Sequence, residues 1–484
     1  MRPLWPRVNA YLTWFHRWAG VVLSLMFLAW FASGAVLHFV GFPSLPMADQ
    51  LAGSEAIDLS QLAVAPARVL AHATDADGLK LISVAGRPVY LASAGGRYIP
   101  VSGDSGEVLG LISGDTAIAV AGRFGHARVI SGSGLIDYDQ WVVHQRFDPY
   151  RPFYRLRLDD PQRTDLYVSA RTGEVVQRTR ERERLWNWCG AVLHWIYFTP
   201  VRKDWSFWNQ LVWWVSLVAL LTSIAGTWLG VHRYLKTRAT HRSGLSPYRG
   251  WMRWHHIIGL FACVGVLSWI FSGWLSMDHG RLFSRGGVSA EQTARIRSLS
   301  LVSLANITSL QTLQGAGPAS VIELNAVAHR PFLTIRGGGG SSVARIRWLD
   351  TGDQSATPLP SSLLLTAVNA VWPRATIQTD TSDVDAMYRL AESVPAGALV
   401  FRAESPADTR IYVDPYSGHL LTVMDSSRRA YAWVYYGVHT LNFPGLIARP
   451  ATRTVLVMLL LMGGLGFTVT GVVLGVRRLR TRFS

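Results

Sequence analysis

Two histidines far apart in the chain share one short setting. WFHRWAG at 14–20 and RWHHIIG at 253–259 align His16 with His255 and Gly20 with Gly259, and the same register carries Ser33-Gly34 onto Ser272-Gly273 without a gap. At a slightly different offset, TGEVV at 172–176 matches SGHLL at 417–421. That offset places Trp188 on Trp433, His194 on His439, Phe198 on Phe443 and Gly226 on Gly471. The chain is thus two copies of one unit. If the copies are related by a two-fold axis along the helices, equivalent imidazoles face each other across a bundle. Two opposed imidazoles are what a six-coordinate haem iron takes as axial ligands, and bundle cores commonly build such sites. His16 with His255, and His194 with His439, are therefore the expected iron ligands of two bis-histidine haem b groups.

Four further histidines lie at or near the apolar stretches: His38, His232, His256 and His279. A histidine near a helix end can also interact with the helix dipole or reach into a headgroup region. His232 and His279 fit that role. Arg477 holds the position equivalent to His232, and Met277 that of His38. These four form a second tier. Zinc or copper sites are less well supported, because no HExxH, CxxC or carboxylate cluster accompanies the pairs. No GxSxG elbow supports a hydrolase, and no segment carries a nicotinamide or flavin fingerprint.

The elements that would hold these residues are legible in the composition. Only 16% of residues are charged, and four apolar stretches, near 11–40, 208–232, 254–278 and 452–476, are each long enough to cross a bilayer. The apolar core of the first is too long for a signal peptide, so it is expected to be a retained helix. Arginines and lysines flank the expected cytoplasmic side: Arg2, Arg7 and Arg17, the loop carrying Arg233, Lys236, Arg238, Arg242, Arg249 and Arg253, and the terminal Arg477, Arg478, Arg480 and Arg482. The positive-inside rule puts both termini and this loop in the cytoplasm, and accounts for the net charge of +16 without nucleic acid. Cys189 and Cys263 fall at different depths, so no disulfide is expected.

The expected fold class is a membrane protein: an α-helical four-span bundle of two parallel repeats, with two α+β outer domains. The expected division is a first span at 1–40, an outer domain at 41–183, and an interfacial aromatic helix with the second span at 184–234. A basic loop at 235–250, the third span at 251–279 and a second outer domain at 280–430 follow. A second interfacial helix with the last span and a basic tail fills 431–484. WNWCGAVLHWIYF at 186–198 and YAWVYYGVHTLNF at 431–443 are the two interfacial helices, rich in the rings that favour a membrane boundary. Hairpins are expected at 166–177 and 411–423, with Gly173 and Gly418 at their turns, and another at 100–110. RGGGGSS at 336–342 is expected to be a loop. His16 and His38 are 22 residues apart, roughly 33 Å of helix, so two haems at those extremes would lie far apart for rapid electron transfer. Aromatic residues such as Trp30 and Trp269 could lie between them.

The FHRWAG and WHHIIG helix starts, the TGEVV and VDPYSGHLL hairpins, the GAVLHW and GVHTL segments and the terminal G-x-x-LGV-[HR]-R together resemble the PepSY-associated transmembrane family. DQWVVHQRFDPYRPFYRLRLDDPQRTDLYVSARTGEVV also resembles its outer module. The resemblance implies a bacterial inner-membrane protein with periplasmic PepSY-like domains, a link to iron uptake, and in some members a haem-containing ferric-siderophore reductase. It puts His16, His255, His194 and His439 on the family's histidine positions. The partners it implies are the lipid bilayer and a ferric siderophore or other periplasmic iron chelate, with electrons arriving from the cytoplasmic side; with no nucleotide site visible in the chain, the donor is left open between a quinol and a partner flavoprotein. The competing expectations are a non-enzymatic PepSY binding or regulatory protein and a transporter accessory.

Overall fold

The structure is a computed structural model that describes residues 4–240, 244–338, 344–378, 382–404 and 408–483. Four long helices dominate it: Leu4–Phe39, Trp205–Ala239, Gly250–Leu275 and Pro450–Phe483. All four are long and apolar enough to cross a membrane. Even the shortest, at 26 residues, spans about 39 Å against a hydrocarbon core of about 30 Å. Asp204 caps the second, its Oδ1 accepting from Phe207 N–H at 2.9 Å. The helices close into a ring, each packing on two others in the order first, second, third, fourth. Leu23, Phe27, Phe31, Ala219, Val266, Trp269, Ile270 and Leu461 fill its centre. Val22, Leu25, Phe261, Val264, Leu459 and Met462 point outward and are exposed, whereas the hydroxyls of Ser33, Thr222, Ser272 and Thr470 are buried. An apolar exterior around hydroxyl-bearing contacts suits lipid, where helices associate through small and polar residues.

The strands lie apart from these helices, in three sheets. The first segment between long helices contributes β1 (Gly78–Val84), β2 (Arg87–Ala94), β3 (Arg97–Ser102), β4 (Val129–Gly132), β5 (Phe153–Leu158), β6 (Asp165–Ser169) and β7 (Val175–Thr179). The second contributes β8 (Val321–Val327), β9 (Arg330–Arg336), β10 (Arg345–Trp348), β11 (Gln354–Ser355), β12 (Ala375–Gln378), β13 (Leu399–Ala403), β14 (Thr409–Val413) and β15 (Leu420–Met424). Each segment builds its own antiparallel four-stranded sheet, β4-β5-β6-β7 and β12-β13-β14-β15. The predicted hairpins at 166–177 and 411–423 are the β6–β7 and β14–β15 pairs, with Gly173 at φ 75 and Gly418 at φ 70. The 100–110 stretch is a turn closed by the Val101–Val108 bridge rather than a full hairpin. Residues 339–342 of the predicted glycine-rich loop lie outside the described residues.

The third sheet belongs to both segments. Its order is β11-β10-β9-β8-β1-β2-β3, and β1 pairs antiparallel with β8, setting Lys80 opposite Glu323. Both residues hold the same place relative to their hairpin turns, Val84 to Arg87 and Val327 to Arg330. The pseudo-two-fold relation therefore passes between them. The predicted division into two outer domains assigns each segment its own core. Instead one core mixes Leu62, Val69, Leu81 and Tyr90 with Leu304, Leu313, Ile322 and Leu333. Strand pairing over this distance leaves no periodic mark in either segment.

The two predicted interfacial helices are also not continuous α-helices. Glu181–Asn187 is followed by a π-helical turn, Trp188–Val192, and Ser426–Tyr431 by another, Ala432–Gly437. Such turns bond i to i+5 and concentrate at functional sites. They hold Gly190 against Val36 and Gly437 against Phe443 with no room for a relaxed Cβ.

The shared core generates a test. Segment 41–183 expressed alone leaves the β1 edge unpaired and half a core open, and is expected to aggregate. Co-expressed with 280–430, it is expected to purify as a soluble one-to-one complex. A monomeric, cooperatively melting 41–183 would contradict the shared sheet.

Candidate functional site

The repeat histidines meet in pairs. The His16 and His255 rings are 6.4 Å apart between centroids, and the His194 and His439 rings 6.1 Å apart. Each ring is fixed by its Nδ1. His16 Nδ1 lies 3.0 Å from the Thr222 carbonyl on the second helix, and His255 Nδ1 3.0 Å from Thr470 Oγ1 on the fourth. His194 Nδ1 reaches Ser33 Oγ at 3.0 Å and the Trp30 carbonyl at 3.2 Å on the first helix. His439 Nδ1 reaches Ser272 Oγ at 3.0 Å on the third.

These contacts determine the tautomer. The hydroxyls of Ser33, Ser272 and Thr470 each donate to a carbonyl one turn back in their own helix, at 3.2, 3.2 and 2.6 Å. A hydroxyl that donates to its own helix offers a lone pair to the imidazole N–H. The Thr222 carbonyl can only accept. The carbonyls facing His16 and His194 place their proton on Nδ1 and leave Nε2 with the lone pair, the form in which a histidine ligates a metal.

Glycines make this closeness possible. A Cβ on Gly226 would lie 2.4 Å from His16 Cε1, and one on Gly34, Gly273 or Gly471 would sit 3.4–3.6 Å from the Cε1 of His194, His439 or His255. The repeated Ser33-Gly34 and Ser272-Gly273 pairs thus have one purpose. The serine meets the imidazole Nδ1, and the glycine beside it lies against the ring's Cε1. The first copy departs at Ala225, the counterpart of Thr470, and there His16 uses a backbone carbonyl across the bare face of Gly226 instead.

The second-tier histidines are placed differently, and none meets another histidine ring. His38 Nε2 bonds Thr454 Oγ1 at 3.0 Å. His256 Nε2 bonds the Gly230 carbonyl at 2.9 Å. His232 stacks on Trp228 and approaches Asn9, while His279 lies on Trp213 at 4.7 Å. The outer layer therefore sits at the depth of Ser33, not His38. Seventeen residues separate His16 from Ser33, so the two pairs lie roughly 25 Å apart along the axis rather than 33 Å. Phe27, Trp30, Phe31 and Trp269 occupy the space between, with Phe31 and Trp269 at 5.9 Å.

The centroid spacing of the pairs fits two imidazoles on one metal. Trans imidazoles on one metal, with bonds of about 2.0 Å and about 1.1 Å from Nε2 to centroid, place their centroids about 6.2 Å apart. Both pairs match that spacing. No group of three or more His, Cys, Asp or Glu exists among the described residues, so each pair suits a metal whose remaining ligands come from a macrocycle. Two arginines near the outer pair, Arg202 and Arg453, keep buried nitrogens without acceptors. Arg202 is 1% exposed, and its Nε and Nη1 are unbonded while Nη2 donates to Gln145. Its guanidinium lies on Trp208, whose Nε1 donates to the carbonyl of Trp195 next to His194. Arg453, bonded to Asn442, keeps a buried Nε unpaired. The carboxylates of such a macrocycle would satisfy them. Arg202 and Arg453 escape sequence reading because neither holds a repeated position.

Gly226→Ala forces the His16 ring or the second helix to shift, and should cost about 1–3 kcal/mol, read as a lower melting temperature. Gly471→Ala, whose Cβ meets His255 at ordinary contact distance, should be close to neutral. Equal effects would contradict the packing described.

No family model, curated protein or solved structure matches this chain.

Proposed function

We propose that this chain is a bacterial inner-membrane electron-transfer protein holding two haem b groups, one between His16 and His255 and one between His194 and His439. It passes electrons to a ferric chelate, such as a ferric siderophore, on the side of the β-rich segments. The observation carrying this reading is the recurrence, at two depths of one apolar helix ring, of imidazole pairs at metal-bridging distance with Nδ1 tied and Nε2 bare. Bound haem iron supplies a one-electron couple at each depth. The resemblance to the PepSY-associated transmembrane family points the same way, with the β-rich segments as periplasmic PepSY-like modules.

The chain's own residues orient and insulate. Ser33, Trp30, Ser272, Thr222 and Thr470 hold the Nδ1 protons, which fixes ring orientation and raises the donor strength of Nε2. Because those protons have built-in acceptors, an electron can move without a proton leaving the rings. Leu23, Phe27, Val266 and Leu461 keep water from the space between the layers. The four helix ends away from the sheets carry the arginine-rich flanks, supporting a cytoplasmic position for both termini. A quinol or a reduced flavoprotein is the class of donor that would supply the inner pair.

Detergent-purified protein, expressed with haem supplied, is expected to show sharp α and Soret bands on dithionite reduction. His16→Ala and His439→Ala should each remove about half of the bound haem, and His38→Ala none. A folded, colourless preparation would sink the redox reading and favour a PepSY binding or regulatory role.

Sidedness has its own test. Cys189 is exposed at the first π-turn, whereas Cys263 lies within the third helix. A membrane-impermeant maleimide added to spheroplasts should label Cys189. Labelling only after lysis would reverse the proposed orientation.

A further inference from the structure

We propose that Phe467 and Tyr435 are positioning residues that each fix the plane of one iron ligand and so make the two haem sites unequal; this rests on the electron-transfer reading. The second-copy histidines lie against aromatic faces. His255 stacks on Phe467 at 4.6 Å with 20° between planes, and His439 on Tyr435 at 5.3 Å with 28°. Tyr435 is held in turn by Tyr431, stacked on it at 5.2 Å, and by Tyr436, which meets it at 4.8 Å. The Nδ1 contact pins one atom of each imidazole. The stacked face sets the angle of the plane around that atom, because tilting one flat ring drives its edge into the other.

The first-copy histidines have no such face. Among the described residues, His16 and His194 stack on no aromatic side chain and meet only the ring of their partner histidine. The repeat offset explains the difference, for it puts Thr222 on Phe467 and Gly190 on Tyr435. Thr222 orients His16 through its carbonyl instead, 3.0 Å from Nδ1. A Cβ on Gly190 would already stand 3.0 Å from Val36 Cγ1, so the first π-turn has no room for a ring there. Gly259 is matched to Phe467. Its Cβ would lie 3.1 Å from that ring, whereas a Cβ on Gly20, its counterpart, would meet open space. The repeated glycine is needed only in the copy that carries the ring.

The planes within each pair differ between the two layers. The His16 and His255 rings are inclined by 40°, and the His194 and His439 rings by 68°. An imidazole interacts with iron through π orbitals perpendicular to its own plane. Two near-parallel planes act on one iron d orbital and spare the other of the pair; two near-perpendicular planes act on both alike. A ferric iron at the outer pair is therefore the more anisotropic magnetically. The axial ligands are one of the levers that set a haem potential, so a change of plane also shifts the couple.

The test reads low-temperature electron paramagnetic resonance on the oxidised full chain, purified in detergent with haem supplied. Two low-spin ferric signals are expected, and the one lost in His439→Ala should have the larger maximal g value. Tyr435→Leu should shift and broaden that signal alone, and Phe467→Leu the other alone. Tyr435→Phe, which keeps the ring, should match the unaltered chain. Absorption spectra taken alongside show that each variant keeps its haem, which separates a turned ligand from a misfolded protein. Should a leucine variant lose haem, the unequal signals of the unaltered chain and the unchanged signal of Tyr435→Phe still decide. Two signals of equal g value, the larger value at the inner pair, leucine variants that keep haem and leave both signals in place, or a displaced signal in Tyr435→Phe would each overturn the assignment. Failure of the electron-transfer reading looks different: a folded preparation without haem gives no low-spin signal at all.

Discussion

Everything in the helical part of this protein depends on where four Nδ1 protons go. A buried imidazole with an unpaired N–H is costly, and a serine or threonine hydroxyl that turns its own proton to its helix offers an acceptor without adding charge. Once that bond forms, the ring can no longer rotate and its tautomer is fixed. The other requirements follow from it. At His16 the acceptor helix must carry a glycine where the ring lies, Gly226, and each neighbouring helix must approach closely enough to be reached. His194 and His439 arrive from short segments outside the long helices, and the π-turns before them allow that. An extra residue in the turn changes which side of the segment faces the bundle.

The strand part answers a second constraint, that two long insertions be held over one end of a narrow ring of helices. Each insertion has a four-stranded sheet of its own, but the seven-stranded sheet through β1 and β8 welds them. Its centre is polar. Lys80 stands opposite Glu323 and forms an ion pair with Glu174 at 2.7 Å, while Glu323 lies 3.9 Å from Arg336. Burial works against the charge on Lys80, but Glu174 foremost, then Tyr98, raises its pKa above the ordinary lysine value. Gly173 and Gly418 bring their hairpin tips against Val84 and Val327, equivalent residues at the ends of β1 and β8. The pseudo-symmetry of the helices is thus repeated in the strands, and departs at β11 and where the loop between β4 and β5 is replaced by the helix Asp383–Glu392 between β12 and β13.

What could be read in the chain was what short-range patterning encodes. Apolar length gave four helices, turn glycines at 173 and 418 gave two hairpins, and the repeat singled out His16, His255, His194 and His439 from the rest. Each of these depends on side chains close in sequence or on direct comparison of two copies. His38 shows the limit. It shares a face of the first helix with His16 and looks like a member of the outer layer, yet Thr454 takes its Nε2. Only the position of the fourth helix determines that. The π-turns were read as plain helices because a 3.6-residue period cannot anticipate one inserted residue. The β1–β8 pairing was invisible because it joins residues some 240 positions apart with no local trace.

The sequence by itself determined which groups are present twice, and so which imidazoles have a symmetric partner. The tertiary structure alone decided that those partners stand with ring centroids 6.1–6.4 Å apart and Nδ1 held by another helix. That result depends on hydroxyls, carbonyls and missing Cβ atoms supplied by other helices. It also decided that the two copies differ between matching strands, where the same stretch packs as a loop with the short turn Gln145–Tyr150 in one and as the helix Asp383–Glu392 in the other.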